Sequence, residues 1–178
     1  ISPEELAEQA KIAESYGVDF IYFADSSGAM LPKDVAARVK ALKKAVNVPI
    51  GIHAHNNMSL AVGNSLAAIE AGADFVDGTL QGMGAGCGNT PSEVLAAVLT
   101  KMDIETGANF YDLMDTGEEY VRPLIKHSLE VTNESLILGY TGIYSSFYLP
   151  TIEAAERYGV DVRDILVGLG NRQVVGGQ

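Results

Sequence analysis

The residues best suited to chemistry are two histidines one position apart, His53 and His55, which close the run Pro49-Ile50-Gly51-Ile52-His53-Ala54-His55. In a β-strand, alternate side chains share a face. Gly51, His53, His55 and Asn57 then point one way, and Ile50, Ile52 and Ala54 point the other, against covering helices. A Gly-His-His-Asn face is a poor apolar layer. Two imidazoles side by side at a strand end suit one divalent metal, which takes neutral nitrogens on a rigid support. An isolated His-x-His is more often a pair of hydrogen-bonded surface or core histidines. Here the strand-end position and the flanking polar loops turn the reading toward a metal.

Two nitrogens do not complete such a site, because a hard catalytic ion also takes oxygen ligands and keeps positions open for water or substrate. Asp25 and Asp77 are the strand-borne carboxylates. Asp25 ends its strand, and its role is open between a place near the site and a cap or loop hydrogen bond. Asp77 lies earlier in its strand and reads as a structural hydrogen-bonder. The loop Gly82-Met83-Gly84-Ala85-Gly86-Cys87-Gly88-Asn89 has neither the Lys-Ser/Thr of a P-loop nor dinucleotide-site spacing. It is expected to be a tight, backbone-rich loop that approaches a small ligand closely. Asn89 either binds a ligand or caps the next helix. Cys87, with no His or second Cys near it in sequence, reads as a small loop residue and not a nucleophile.

The elements that must position these residues repeat one pattern: helix, short apolar strand, polar loop. Ser2-Pro3-Glu4-Glu5 opens a helix with Ser2 as N-cap and Pro3 at its first position. The spacing predicts strands over 20–25, 49–55 and 75–80, and helices over 32–46, 59–71 and from 92 to about 102. Strand-helix-strand units of 30 residues from Asp25 to His55, and 25 from His55 to Leu80, give parallel neighbours. Three such strands fit a doubly wound sheet or part of a (β/α)₈ barrel, both of which place sites at the C-terminal strand ends. Beyond about Gly107 the pattern changes. The segments 111–124, 144–148, 151–158 and 162–169 read as helical, punctuated by Gly139, Gly142 and Gly159. The predicted division is therefore an α/β part over 1–107 and a small helical domain over 108–178.

Composition narrows the function classes. Twelve basic against 23 acidic residues give a net charge of −11, which argues against nonspecific nucleic-acid binding. One cysteine excludes an intrachain disulfide framework and suits a reducing cytoplasm. No apolar run approaches the ~20 residues of a membrane helix. The chain opens on Ile1, which suggests a fragment, a processed product or a trimmed chain.

Several separate runs resemble a known family. They are Ala24-Asp25-Ser26-Ser27-Gly28-Ala29-Met30, the stretch from Gly51-Ile52-His53-Ala54-His55-Asn56-Asn57 through Ala71-Gly72-Ala73, and Val76-Asp77-Gly78-Thr79-Leu80-Gln81-Gly82-Met83-Gly84-Ala85-Gly86. Together they are similar to the last strands of the pyruvate-aldolase and acyltransferase barrels. That superfamily includes 4-hydroxy-2-oxovalerate aldolase, isopropylmalate synthase and hydroxymethylglutaryl-CoA lyase. Tyr120-Val121-Arg122-Pro123-Leu124, Leu138-Gly139-Tyr140-Thr141-Gly142-Ile143-Tyr144-Ser145-Ser146-Phe147 and Val174-Val175-Gly176-Gly177-Gln178 resemble the helical C-terminal domain of the 4-hydroxy-2-oxovalerate aldolase family.

The resemblance implies that the three strands are the sixth to eighth of a TIM barrel and that His53 and His55 are metal ligands on the seventh. It implies that Tyr144 reaches the active site from the helical domain. His127 matches no catalytic position. The implied activity is metal-dependent class II aldol cleavage of 4-hydroxy-2-oxo acids to pyruvate and acetaldehyde, in aromatic hydrocarbon catabolism. Mn²⁺ is the implied ion, although the residues alone allow Mg²⁺, Co²⁺ or Zn²⁺. The implied partners are a small 2-oxo acid, an acylating acetaldehyde dehydrogenase and further subunits of an oligomer. The family's first-strand Asp, Arg and His have no counterpart in this sequence, so the chain alone is expected to be inactive. Two other expectations stand beside this one: an acyl-CoA-dependent Claisen-type synthase or lyase of the same superfamily, and an interaction module for the dehydrogenase.

Overall fold

A computed structural model describes residues 1–126, 128–172 and 174, apart from the side chain of Ser145. His127 and the final run 175–178 of the family resemblance lie outside the described residues. In the α/β part, α1 (Pro3–Ser15), β1 (Ile21–Asp25), α2 (Pro32–Ala45), β2 (Ile50–Ala54), α3 (Ala61–Glu70), β3 (Phe75–Val76) and α4 (Ser92–Lys101) run in order. The strands form one parallel sheet in the order β1-β2-β3. Ser2 caps α1 in a reciprocal capping box with Glu5, as its sequence predicts.

Alternation along the strands separates two faces. Phe23, Ile50, Ile52 and Ala54 meet Val35, Val39 and Leu42 of α2, whose spacing forms one helical stripe, together with Ala10, Ala61 and Ala68. The opposite face carries Tyr22, Ala24, Gly51, His53, Phe75 and Asp77. Near the N-terminal strand ends it is aromatic: Tyr22 lies 5.5 Å from Phe20 and 6.1 Å from Phe75, centroid to centroid. These rings are open, with Phe20 53%, Tyr22 38% and Phe75 43% exposed. Only toward the C-terminal ends does this face become the imidazole pair.

Two expectations need correction. The third strand stops at Val76 instead of Leu80. Gly78 there passes so close to the Thr90 carbonyl that a β-carbon would lie 2.7 Å from it, and the chain then turns into a short 3₁₀ segment, Leu80–Gly82. Asn57 does not continue the strand face. It sits in the turn after β2, buried among loops.

Beyond residue 107 every regular element among the described residues is helical. The predicted helix over 111–124 is α5 (Phe110–Thr116) with a π turn, Gly117–Val121, and a 3₁₀ turn, Arg122–Leu124, after it. A helix absent from the sequence expectation, α6 (Asn133–Thr141), is capped by Thr132 and Ser135. Gly139 lies inside it because α6 packs against a loop: a β-carbon there would stand 2.7 Å from Met58 Cγ. After α6 a short turn, Ser145–Phe147, leads to α7 (Tyr148–Tyr158) and α8 (Val162–Asn171). Leu138, Ile143 and Leu166 form the core of this helical part.

Candidate functional site

His53 and His55 stand at the C-terminal end of the central strand, on the face away from the helices. His53 pairs in register with Ala24, and His55, one step past the strand, bridges to Asn89. The two rings adjoin at 4.8 Å between centroids, nearly perpendicular at 83°. The Nδ1 of His55 lies 2.8 Å from the Asp25 carbonyl oxygen, and the Nδ1 of His53 lies 2.8 Å from Asp77 Oδ1. A carbonyl can only accept, so His55 donates from Nδ1, which leaves Nε2 as the nitrogen available to a metal. An ionised Asp77 imposes the same tautomer on His53. A metal-binding histidine is oriented in this way, with its other nitrogen donating to a carboxylate or a backbone carbonyl.

The carboxylate of Asp25 is on the other side. Asp25 pairs with Ala54 and is buried with the core face. Its Oδ1 accepts from Ala29 N–H at 2.9 Å, and Met30 N–H reaches its two oxygens at 3.3 and 3.2 Å. Burial pushes this carboxyl up from its ordinary value, against the lowering effect of those backbone donors. Of the two roles left open by its sequence, the loop hydrogen-bonder is the one observed. It shapes the loop Ser26-Ser27-Gly28 and presents its carbonyl to His55. Asp77 acts as expected, through its hydrogen bond to His53.

Asn89 does not cap α4, since Pro91 holds the cap position. Its amide nitrogen donates to the Met83 carbonyl at 3.2 Å, and its Oδ1 is buried without a partner among the described residues. The bonds Asn56 N–H to Gly88 O, 2.9 Å, and Thr90 N–H to Ala54 O, 3.2 Å, flank the His55–Asn89 bridge. That pattern is a non-hydrogen-bonded antiparallel pair, in which opposed side chains project to one side with β-carbons about 4.5–5.5 Å apart. Asn89 therefore shares the side of His55 and supplies an oxygen with unused acceptor capacity. Sequence spacing could not reveal this, because the pairing crosses an irregular loop. No group of three His, Cys, Asp or Glu gathers among the described residues.

The glycines of this loop approach protein. A β-carbon on Gly88 would collide with the Gly82 carbonyl, and one on Gly84 would lie 2.7 Å from the Asn89 amide. Cys87 is buried, with its thiol donating to the Glu130 carbonyl at 3.2 Å. Tyr144, 42% exposed, lines a cleft at the end of β1 with Ala24, Ser26, Ser27 and Met30. Neither imidazole lines that cleft.

Residues 1–119 match the HMGL-like family model. The chain belongs to the HMGL-like family. Residues 129–178 match a second model, the DmpG-like communication domain. The chain is 55% identical over 178 residues to the 4-hydroxy-2-oxovalerate aldolase of Carboxydothermus hydrogenoformans, covering 100% of this chain and 53% of that protein. It is 55% identical over 176 residues to the 4-hydroxy-2-oxovalerate aldolase of Moorella thermoacetica, covering 99% of this chain and 52% of that one. The chain thus spans about half the length of the curated relatives it matches. The crystal structure of the HMG-CoA lyase from Brucella melitensis superposes with a TM-score of 0.66 at 24% identity, covering 71% of this chain and 47% of that one. The α/β fold is therefore shared with HMGL-like TIM-barrel proteins. Among the described residues, no helix is long and apolar enough to cross a membrane.

Proposed function

We propose that the chain is the metal-binding part of a class II aldolase that cleaves 4-hydroxy-2-oxovalerate to pyruvate and acetaldehyde. The observation that carries this reading is the pair of imidazoles whose Nδ1 atoms are both committed, to Asp77 and to the Asp25 carbonyl. The names of the relatives at 55% identity support the substrate. In this reading the strands are the sixth to eighth of a (β/α)₈ barrel, with a helical domain over 108–178 after them.

The donor set fits a divalent ion, with imidazole nitrogens from His53 and His55 and the amide oxygen of Asn89 on the same side; the family resemblance favours Mn²⁺. When bound, the ion would supply Lewis-acid stabilisation of the negative charge that develops on the 2-oxo acid during carbon-carbon cleavage. Asp77 and the Asp25 carbonyl hold the rings. Tyr144 would act on the substrate from the cleft after β1 that it lines with Ser26 and Ser27, a role that rests on the family resemblance. The helical domain is the surface that meets an acylating acetaldehyde dehydrogenase, the partner that would take the aldehyde.

The test is a coupled assay of the full-length protein with 4-hydroxy-2-oxovalerate and Mn²⁺, detecting pyruvate. Pyruvate release that requires the ion supports the reading. Turnover only with an acyl-CoA would overturn it in favour of a Claisen-type enzyme. Asp77→Asn should weaken metal affinity about 10–100-fold, as losing a ligand's outer partner does. A chelator competition titration measures this, and unchanged affinity would remove Asp77 from the site. Tyr144→Phe should alter cleavage kinetics or the choice between substrate enantiomers while leaving the melting temperature near that of the wild type. Wild-type kinetics on both enantiomers would leave Tyr144 a packing residue.

A further inference from the structure

We propose that Asn57 is a positioning residue: it joins the loops after all three strands to helix α6 and so sets where Tyr144 stands relative to the histidine pair. The inference rests on the aldolase reading only in what it says of Tyr144.

The residue is 7% exposed and uses both ends of its amide. Its Nδ2 donates to the Ser27 carbonyl at 3.0 Å, in the loop after β1. Its Oδ1 accepts from Cys87 N–H at 3.3 Å, in the glycine loop after β3. Asn57 itself belongs to the turn after β2, two residues past His55. Each contacting element meets it through a glycine. A β-carbon on Gly28 would lie 2.9 Å from the Asn57 nitrogen, and one on Gly86 would lie 2.8 Å from its Oδ1. One on Gly139, in α6, would lie 3.2 Å from the Asn57 β-carbon.

The contact through Gly139 reaches Tyr144 along the chain. Helix α6 ends at Gly142, whose left-handed backbone at φ +72° reverses the chain. The next residue, Ile143, is buried in the helical core. Tyr144 comes immediately after it and enters the cleft beside Ser26 and Ser27. That cleft is lined by Ser26 and Ser27 of the loop that Asn57 holds and by Gly142, the C-cap of the helix that packs on Asn57 and Met58. An asparagine serving only its own turn would need neither the Ser27 bond nor the Cys87 bond; α6 meets the β-carbon and backbone of Asn57, so its seat follows the turn that those bonds fix.

The experiment uses the full-length protein. Asn57→Ala should lower kcat about 10²-fold, as a displacement of about 1 Å near the chemistry does. KM and bound metal should stay at wild-type values, since the imidazoles keep their own partners. Asn57→Ala combined with Tyr144→Phe should be no slower than the slower single variant, because the first change acts through the second residue. Hydrogen exchange provides a readout independent of turnover: Asn57→Ala should speed exchange in residues 26–28, 85–88 and 133–141 together. Acceleration confined to the loops, with α6 at wild-type rates, would overturn the proposal, and so would a double variant slowed by the product of the single effects. If Asn57→Ala does not fold, Asn57→Asp keeps the acceptor for Cys87 N–H and replaces the donor to Ser27 with an oxygen that repels that carbonyl, and it is judged by the same exchange pattern. If Tyr144→Phe turns over as wild type, the catalytic reading of Tyr144 fails, and exchange in α6 alone upholds or overturns the clamp.

Discussion

Alanine at His53 or His55 is expected to cost the full-length enzyme its divalent ion and its aldol cleavage together. Each substitution removes one of two nitrogens that the strand presents side by side. The loss should exceed the roughly 10–100-fold that accompanies removal of an outer-shell partner, because a ligand itself is gone. The fold should survive. Neither ring belongs to the apolar core, which lies on the other face of the sheet. Metal analysis of the purified variants checks this. Full metal content in both would dismiss the pair as ligands, and loss of metal with full cleavage would separate the ion from the reaction.

A polypeptide of these 178 residues alone is expected to release no pyruvate from 4-hydroxy-2-oxovalerate, whatever Mn²⁺ is added. In the proposed site the described residues would supply two imidazoles and one amide oxygen, and no group of three His, Cys, Asp or Glu gathers among them. Groups that act as one catalytic unit do not lose activity piecemeal. The fold meets a parallel difficulty. The face bearing Phe20, Tyr22 and Phe75 is open to solvent over three aromatic rings, and no layer opposes it among the described residues. Exposed rings of this kind favour association, as does a sheet whose outer strands keep unpaired edges. The isolated chain should therefore self-associate, bind hydrophobic dyes, or both. Light scattering and dye fluorescence monitor this, and the coupled pyruvate assay monitors activity. Turnover at the rate of the full-length enzyme, from material shown by mass spectrometry to contain no longer chain, would refute it.

How far the sequence was legible depended on whether a feature was local. The helix-strand alternation, the parallel order and the shared face of Gly51 and His53 arise from period-two and period-3.6 patterns, and the structure has them. What failed depended on distant contacts. Asp25 and His53 look like neighbours at two strand ends. The register pairs His53 with Ala24, however, and so turns the Asp25 carboxylate toward the core. No local pattern sets that register. Helix α6 was obscured by Gly139, which reads as a breaker until Met58 is seen beneath it. Asn89 was ambiguous because its partner, His55, lies across a loop. Asn57, placed by parity on the strand face, belongs instead to a turn that three other segments approach. Tyr144 carried no signal of its own beyond family resemblance. Its place in a cleft with Ser26 and Ser27 became visible only with the tertiary fold.

The most direct test is pulsed paramagnetic resonance on the full-length protein, loaded with Mn²⁺ and labelled with ¹⁵N-histidine. If His53 and His55 hold the ion, the wild type shows directly coordinated imidazole nitrogen. His53→Ala and His55→Ala each lose one such coupling or lose the ion altogether. Nitrogen coupling identical in wild type and both variants, or none in the wild type with the ion bound and cleavage intact, would contradict it.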